Sequence, residues 1–354
     1  MHHESLNFST SDRLALLGHT QISHTLRPNP TMGKYSDDPE WADVTPFPQD
    51  DGGPNPLAPI AYTPGYAEAM SYLRAIMAAN EHSPRALSLT ADIIDKNAAH
   101  YTVWLYRSSI LSALSSDLRV ELAWLDEIAL SHQKNYQVWH HRQFLLDKIG
   151  DPDGEVRFVN AMFEQDAKNY HVWSYRQWLV RRFGLWEGEN CVNDEGERRS
   201  ELDETERMIV ADVRNNSAWN HRFFLVNGRE DVPGVKEEGV RTREVDFAKR
   251  AIEKAPQNQS PWNYLRGTVE RAGTGLDGLR AFCEEYADPK HEERIRSSHA
   301  LDLLAEIYGA EKEKEKARHA YDLLALKFDP IRSNYWNYLK GRLGDDTPVA
   351  ASAA

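Results

Sequence analysis

Apolar residues recur along this chain at spacings of three and four. YAEAMSYLRAIMAANE (66–81), EVRFVNAMFEQDAK (155–168) and REVDFAKRAIEKA (243–255) each carry an apolar stripe on one side of a 3.6-residue helix. No run alternates convincingly with the period of two that a half-buried strand requires. Thr63-Pro64, Ser83-Pro84 and Ser260-Pro261 each offer a capping side chain followed by proline, a pairing suited to a helix start. The pattern predicts an all-α protein.

The helices come in a series. KNYQVWHHRQ (134–143) returns as KNYHVWSYRQ (168–177), identical at seven of ten positions. Trp104, Trp139, Trp173, Trp219, Trp262 and Trp336 stand in related contexts, separated by 35, 34, 46, 43 and 74 residues. A period of 34–37 residues fits two helices and two turns. The last gap is twice 37, so one unit has lost its tryptophan, with a remnant near SSHALDLLAEIYG (297–309). Polar insertions, GLWEGENCVNDEGERRSE (184–201) and GREDVPGVKEEGV (228–240), read as surface loops in the gaps of 46 and 43 residues. About seven antiparallel helix pairs are expected, stacked into a right-handed superhelical crescent of the tetratricopeptide-like kind.

Within each unit the motif has a packing logic. Asn135, Asn169, Asn215 and Asn258 precede the tryptophan by four residues, where an amide caps the free N–H groups of the next helix. His100 and Arg332 replace that asparagine in their units. Trp139–Arg142, Trp173–Arg176 and Trp219–Arg222 are three apart and share a helix face. The indole supplies core area, and the guanidinium reaches carbonyls or carboxylates of the adjacent unit. WNYLRG (262–267) and WNYLKG (336–341) exchange that arginine for leucine and add what reads as a glycine stop, marking degenerate units.

Four segments are expected: 1–33 poorly ordered, 34–63 an extended proline-rich arm, 64–344 the repeat domain, and 345–354 a flexible tail. Charge changes the picture modestly. With 42 basic and 55 acidic residues, the net charge of −13 disfavours wrapping nucleic acid or lying flat on anionic lipid. No stretch approaches a membrane span, and MHHESLNFSTSDR lacks the pattern of a secretory signal. Cys191 and Cys283 are the two cysteines, which excludes a disulfide framework or an all-cysteine metal site and points to a cytoplasmic protein.

Packing does not explain why Lys134-Asn135-Tyr136 and Lys168-Asn169-Tyr170-His171 match so closely. These residues open helices in successive repeats and emerge on one edge of the stack. Helix N-termini offer unpaired N–H groups and partial positive charge, so a lysine there suits a phosphate or diphosphate. A solvated surface role is the competing reading for any one lysine. His140 and His141 are adjacent and point to different faces, and HEERI (291–295) lacks a second histidine, so no metal site is expected in this chain. There is no Gly-rich phosphate loop or nucleophile elbow.

NYQVWHHR, NYHVWSYR, NNSAWNHR and PWNYLRG resemble the tandem repeats of protein prenyltransferase α subunits, from about residue 35 to the terminal YWNYLKG at 341. The arm EWADVTPFPQDDGGPNP is similar to that of the subunit shared by protein farnesyltransferase and type I geranylgeranyltransferase. The resemblance implies a heterodimer with an α-α barrel β subunit, which carries Zn2+ and most of the isoprenoid pocket, and allows for Mg2+ beside the diphosphate. Farnesyl diphosphate, or with another β subunit the geranylgeranyl compound, would alkylate the cysteine of C-terminal C-a-a-X proteins such as small GTPases. It implies that Lys134 stabilises charge on the diphosphate leaving group and that Gln137 hydrogen-bonds the peptide carboxylate. Tyr136, Asn169, Tyr170 and His171 would line the same edge. Two alternatives stand beside this reading: the α subunit of the type II enzyme, which acts on Rab-type GTPases with an escort, and a non-catalytic repeat scaffold.

Overall fold

Helix starts follow local capping chemistry closely. The computed structural model describes residues 33–53, 55–188, 191–192 and 198–344; the expectations for residues 1–32 and for the tail from 345 lie outside them. Thr63 accepts from Tyr66 N–H to open α1 (Pro64–Ala78), and Ser83 accepts from Ala86 N–H to open α2 (Pro84–Lys96). Ser260 does not cap. Asn258, two residues earlier, accepts from its N–H, so Ser260 and Pro261 lie inside the first turn of α11 (Gln259–Ala272). His100 and Arg332 make no side-chain cap, as their chemistry suggests.

The remaining helices are α3 (Tyr101–Leu114), α4 (Leu118–Ser131), α5 (Tyr136–Ile149), α6 (Glu155–Gln165), α7 (Tyr170–Phe183), α8 (Glu201–Ala211), α9 (Asn216–Asn227), α10 (Glu238–Lys254), α12 (Arg280–Tyr286), α13 (Ser298–Ala310), α14 (Lys314–Leu323) and α15 (Ser333–Arg342). The fold is all-α, built from helix pairs: α2 with α3, then α4–α5 onward to α14–α15. The described residues fall into two compact units, one through Ser116 and one from Asp117. In the first, Tyr35 and Trp41 of the arm are buried against Tyr72 of α1, with ring centroids 5.3–5.5 Å apart. In the second, successive second helices (α5, α7, α9, α11, α13) pack on one another.

The tryptophans repeat one geometry. Indole N–H groups donate to the carbonyl six residues earlier, Trp139 to Gln133, Trp173 to Ala167, Trp219 to Val213 and Trp262 to Pro256, at 2.7–2.9 Å, whereas Trp336 reaches Asp329 seven residues back. The unit lacking tryptophan is α12–α13. There Ser297 caps α13, and Leu301, four residues on, is fully buried where the indole would sit.

Arginine links the pairs through buried glutamates. Arg142 on α5 grips Glu155 of α6 with two hydrogen bonds of 2.8 Å. Arg176 on α7 does the same to Glu201 of α8, at 2.9 and 3.0 Å. Arg222 on α9 reaches Glu244 of α10 at 2.6 and 3.2 Å. Each glutamate also accepts from the second helix of its own pair: Tyr175 on Glu155 (2.6 Å), His221 on Glu201 (3.1 Å) and Tyr264 on Glu244 (2.6 Å). In the degenerate unit, Arg266 takes over one position later and pairs with Asp302 and Glu306 of α13. The expected glycine stops are absent: Gly267 sits inside α11, which ends at Gly273 with φ +73°, and Gly341 lies within α15.

The insertions are more than surface loops. Cys191–Val192 pairs antiparallel with Arg198–Arg199 (β1 and β2), a short ladder that the absence of alternation did not signal. Cys191 is buried against Arg176 and Glu201, and Trp186 stacks on Phe224 at 4.8 Å. In the second insertion Val235 is fully buried.

Burial pushes the Glu201 carboxyl upward, but Arg176 and the His221 hydrogen bond outweigh it and hold the pKa at about 2, against an ordinary 4.5. Burial holds His221 below its usual 6.5. Both folded values are depressed, so both contributions are present above the unfolded pKa and lost on acidification. Urea titrations should therefore show stability falling first below pH 6.5, as unfolded His221 protonates, and again between 4.5 and about 2. Glu201→Gln should flatten the lower step. Glu155→Gln, which leaves the buried Arg142 with Asp126 as its remaining carboxylate, should cost about 1–3 kcal/mol, while Asp147→Asn, at an exposed pair with Arg182, should cost under about 1 kcal/mol.

Candidate functional site

The repeated edge is built by two caps. Asn135 accepts from Gln137 N–H at 2.8 Å and opens α5, and Asn169 accepts from His171 N–H at 2.9 Å and opens α7. Each cap sets the direction of the residues on either side. Lys134 precedes the first cap, and Tyr136 and Gln137 form the first turn after it; Tyr170 and His171 do so after the second.

Five of the six expected residues sit at the accessible edge. The Lys134 side chain is 79% exposed, Tyr136 and Tyr170 are 67% and 69% exposed, and Gln137 and His171 are half-buried. The ring of His171 meets that of Tyr136 edge-on, 4.4 Å between centroids at 86°, joining the two helix starts. Tyr170 flanks the same imidazole at 5.6 Å. Gln137 makes no side-chain hydrogen bond to the described residues, which leaves its amide available to a ligand.

Asn169 is different. It is 2% exposed. Its oxygen caps α7, and its amide N–H lies 3.5 Å from Gln133 Oε1. It supports the edge from behind rather than facing outward. The equivalent amides of Asn215 and Asn258 donate to Ala167 and Val213 carbonyls of the preceding repeat, at 3.1 and 2.6 Å. This second use of the cap was not evident from spacing, because it crosses 45 and 48 residues of chain.

The electrostatics favour an anion. Lys134 and two helix N-termini share the edge, which sets positive groups there in a chain of net charge −13. Partial burial, and then the Lys134 ammonium, hold the His171 pKa below 6.5. The ring is therefore neutral at pH 7 and offers one donor and one acceptor. Asp166 was not singled out from the sequence; its Oδ2 lies 3.6 Å from Lys134 Nζ.

His141, adjacent to exposed His140, is buried and bonded to Glu121 at 2.9 Å. Among the described residues no group of three His, Cys, Asp or Glu is placed to hold a metal ion. No helix among them is long and apolar enough to cross a membrane.

Comparison with known proteins matches this architecture to a family. A sequence profile of the protein prenyltransferase alpha subunit repeat matches residues 83–114, 118–149, 152–183, 198–228 and 241–272, which are the pairs from α2–α3 to α10–α11. The protein farnesyltransferase/geranylgeranyltransferase type-1 subunit alpha of Candida albicans is 39% identical over 321 residues, 88% of this chain and 99% of the relative. The subunit of the same description from Schizosaccharomyces pombe is 56% identical over 118 residues, 33% of this chain and 40% of that protein. The solved structure of Candida albicans protein geranylgeranyltransferase-I complexed with GGPP superposes with a TM-score of 0.77 at 39% identity, covering 85% of this chain and 98% of that one.

Two outcomes test the edge. In an NMR titration, His171 should titrate below 6.5, and Lys134→Ala should move its midpoint upward, because a neighbouring cation is removed. Asn169→Ala should lower stability by about 1 kcal/mol or more in urea, the usual cost of a lost cap.

Proposed function

Because the chain belongs to the protein prenyltransferase α-subunit family, in the branch described as farnesyltransferase/geranylgeranyltransferase type-1, we propose that it is half of a heterodimeric protein prenyltransferase. Paired with a β subunit, it transfers farnesyl, or with a second β subunit geranylgeranyl, to the cysteine of C-a-a-X proteins. The carrying observation is Lys134, an exposed ammonium at the start of α5 beside the Tyr136–His171 pair.

The reaction forms a bond between the cysteine sulfur and C1 of the isoprenoid and breaks the bond from C1 to the diphosphate oxygen. The diphosphate leaves with the bonding electron pair, so negative charge grows on it through the transition state. Lys134 stabilises that growing charge, and a fixed cation acts more strongly there than on the ground state. Gln137, with its unengaged amide, receives the peptide's terminal carboxylate. Tyr136, Tyr170 and neutral His171 wall the approach, and Asn169 holds α7 in place behind them.

The described residues offer no set of donors suited to zinc. His141 is already occupied by Glu121, and no triad of donors is assembled among the described residues. We therefore assign Zn2+, and any Mg2+ that accompanies the diphosphate, to the partner's side of the site. The buried free thiols of Cys191 and Cys283 suit a reducing cytoplasm.

The test is farnesyl transfer to a C-a-a-X peptide by this chain co-purified with a farnesyltransferase β subunit, alongside each chain alone. Turnover is expected in the pair alone; turnover by either isolated chain would overturn the half-site reading. Lys134→Ala should lower the rate by on the order of 10²-fold, the scale of losing one transition-state donor, while the heterodimer still assembles. Modification of a bare peptide without an escort would also set aside the Rab-type alternative.

A further inference from the structure

The repeat contains its own comparison for the edge lysine. Lys134 stands just before the cap of α5, and Lys168 stands in the same place before the cap of α7. Each faces an aspartate three residues before the next cap, Asp166 for the first and Asp212 for the second. The two aspartates are held alike. Asp166 Oδ1 accepts from Lys168 N–H at 3.1 Å, and its carbonyl accepts from Asn169 N–H at 3.1 Å. Asp212 Oδ1 accepts from Arg214 N–H at 2.9 Å, and its carbonyl accepts from Asn215 N–H at 2.9 Å. In both, Oδ1 and the main chain anchor the residue while Oδ2 projects toward a lysine.

The lysines differ. Lys168 closes on Asp212 at 3.0 Å, a direct charge-assisted contact. Lys134 stops 3.6 Å from Asp166, beyond hydrogen-bond distance, and keeps 79% of its side chain exposed. One ammonium is engaged directly by its carboxylate, and the other is restrained at longer range and more exposed.

We propose that Asp166 is a positioning residue for Lys134: an anchored carboxylate that confines a long, flexible ammonium to the mouth of the edge without closing on it. A lysine carries four rotatable bonds, and confinement lowers what it loses on meeting the leaving diphosphate. The carboxylate also opposes the diphosphate, in the transition state as in the ground state. On this proposal the confinement of the ammonium is the larger effect on the chemical step, while the opposition appears in affinity as well. Asp166 touches neither substrate nor reacting atoms. The inference rests on the role given to Lys134 above.

The test uses the intact heterodimer and single-turnover rates, because product release limits many enzymes under steady state. Asp166→Asn keeps the Oδ1 acceptor and removes the charge. It should lower the single-turnover rate roughly twofold to fivefold, the scale on which exposed ion pairs act, with isoprenoid diphosphate bound no more weakly. In a Lys134→Ala background the same change should do nothing, since Asp166 acts only through that lysine. Asp212→Asn, an equivalent change one repeat on, should leave the rate unaltered.

An unchanged rate in D166N, an equal loss in the double variant, or an equal loss in D212N would each overturn the proposal. If Lys134→Ala itself left the rate intact, the reading of Lys134 would fail and Asp166 with it, an outcome distinct from the first three. Should D166N not assemble with the β subunit, Asp166→Ser retains a side-chain acceptor without charge, and the same comparisons decide.

Discussion

A buried carboxylate shared between neighbouring repeats is the interaction on which this architecture depends. Glu155, Glu201 and Glu244 each take an arginine from the preceding pair and a tyrosine or histidine from their own. A charge removed from water is tolerable only with its partners present. Sliding one pair against the next would strand both ions. Tryptophan burial is less directional and would accept several arrangements, so the carboxylates supply the register. The aromatic faces add to this: Arg142 lies 3.5 Å over Phe158, and Arg222 lies 3.8 Å over Phe247.

That register reaches the functional edge directly. Glu155 binds Arg142 of α5 and Tyr175 of α7 with the same carboxylate. The two helices are therefore locked side by side, and their N-terminal turns follow. This is what brings Tyr136 against His171 and sets Lys134 next to both. The rigid network lies behind the edge and the exposed Lys134, restrained by Asp166, lies in front of it, an arrangement that fixes the address of a charge while leaving it accessible.

The sequence disclosed the period, the indoles and the capping asparagines because all three are locked to one short motif. It hid the glutamates for a physical reason. Glutamate in a first helical turn is ordinarily a solvated residue that complements the helix dipole, and Glu155 and Glu201 occupy that position. The arginines do not betray them, because loops of different length intervene: Arg142, Arg176 and Arg222 lie 13, 25 and 22 residues from their partners. The constant quantity is within each pair, 20 residues from glutamate to the tyrosine or histidine. Ser260 misled because Asn258 competed for the same helix start, and Gly267 misled because it lies beside Phe223 within the helix rather than ending it. At the candidate edge, the repeat itself singled out Lys134, Tyr136, Tyr170 and His171, and the resemblance added Gln137; Asp166 was not legible, since its contact with Lys134 forms only where the chain returns after a full repeat.

The same reasoning explains how an exposed edge is consistent with chemistry. An isolated ammonium in water does little for a leaving group, because solvent screens it. It becomes effective when a second surface excludes water and holds the anion against it. Exposed Tyr136 and Tyr170, flanking a half-buried imidazole, are suited to being covered by such a surface. Repetition then acts as a means of differentiation. Two repeats present the same lysine, one drawn onto its aspartate at 3.0 Å and one held 3.6 Å away and more exposed, so a packing motif copied along the chain yields two lysines of different availability.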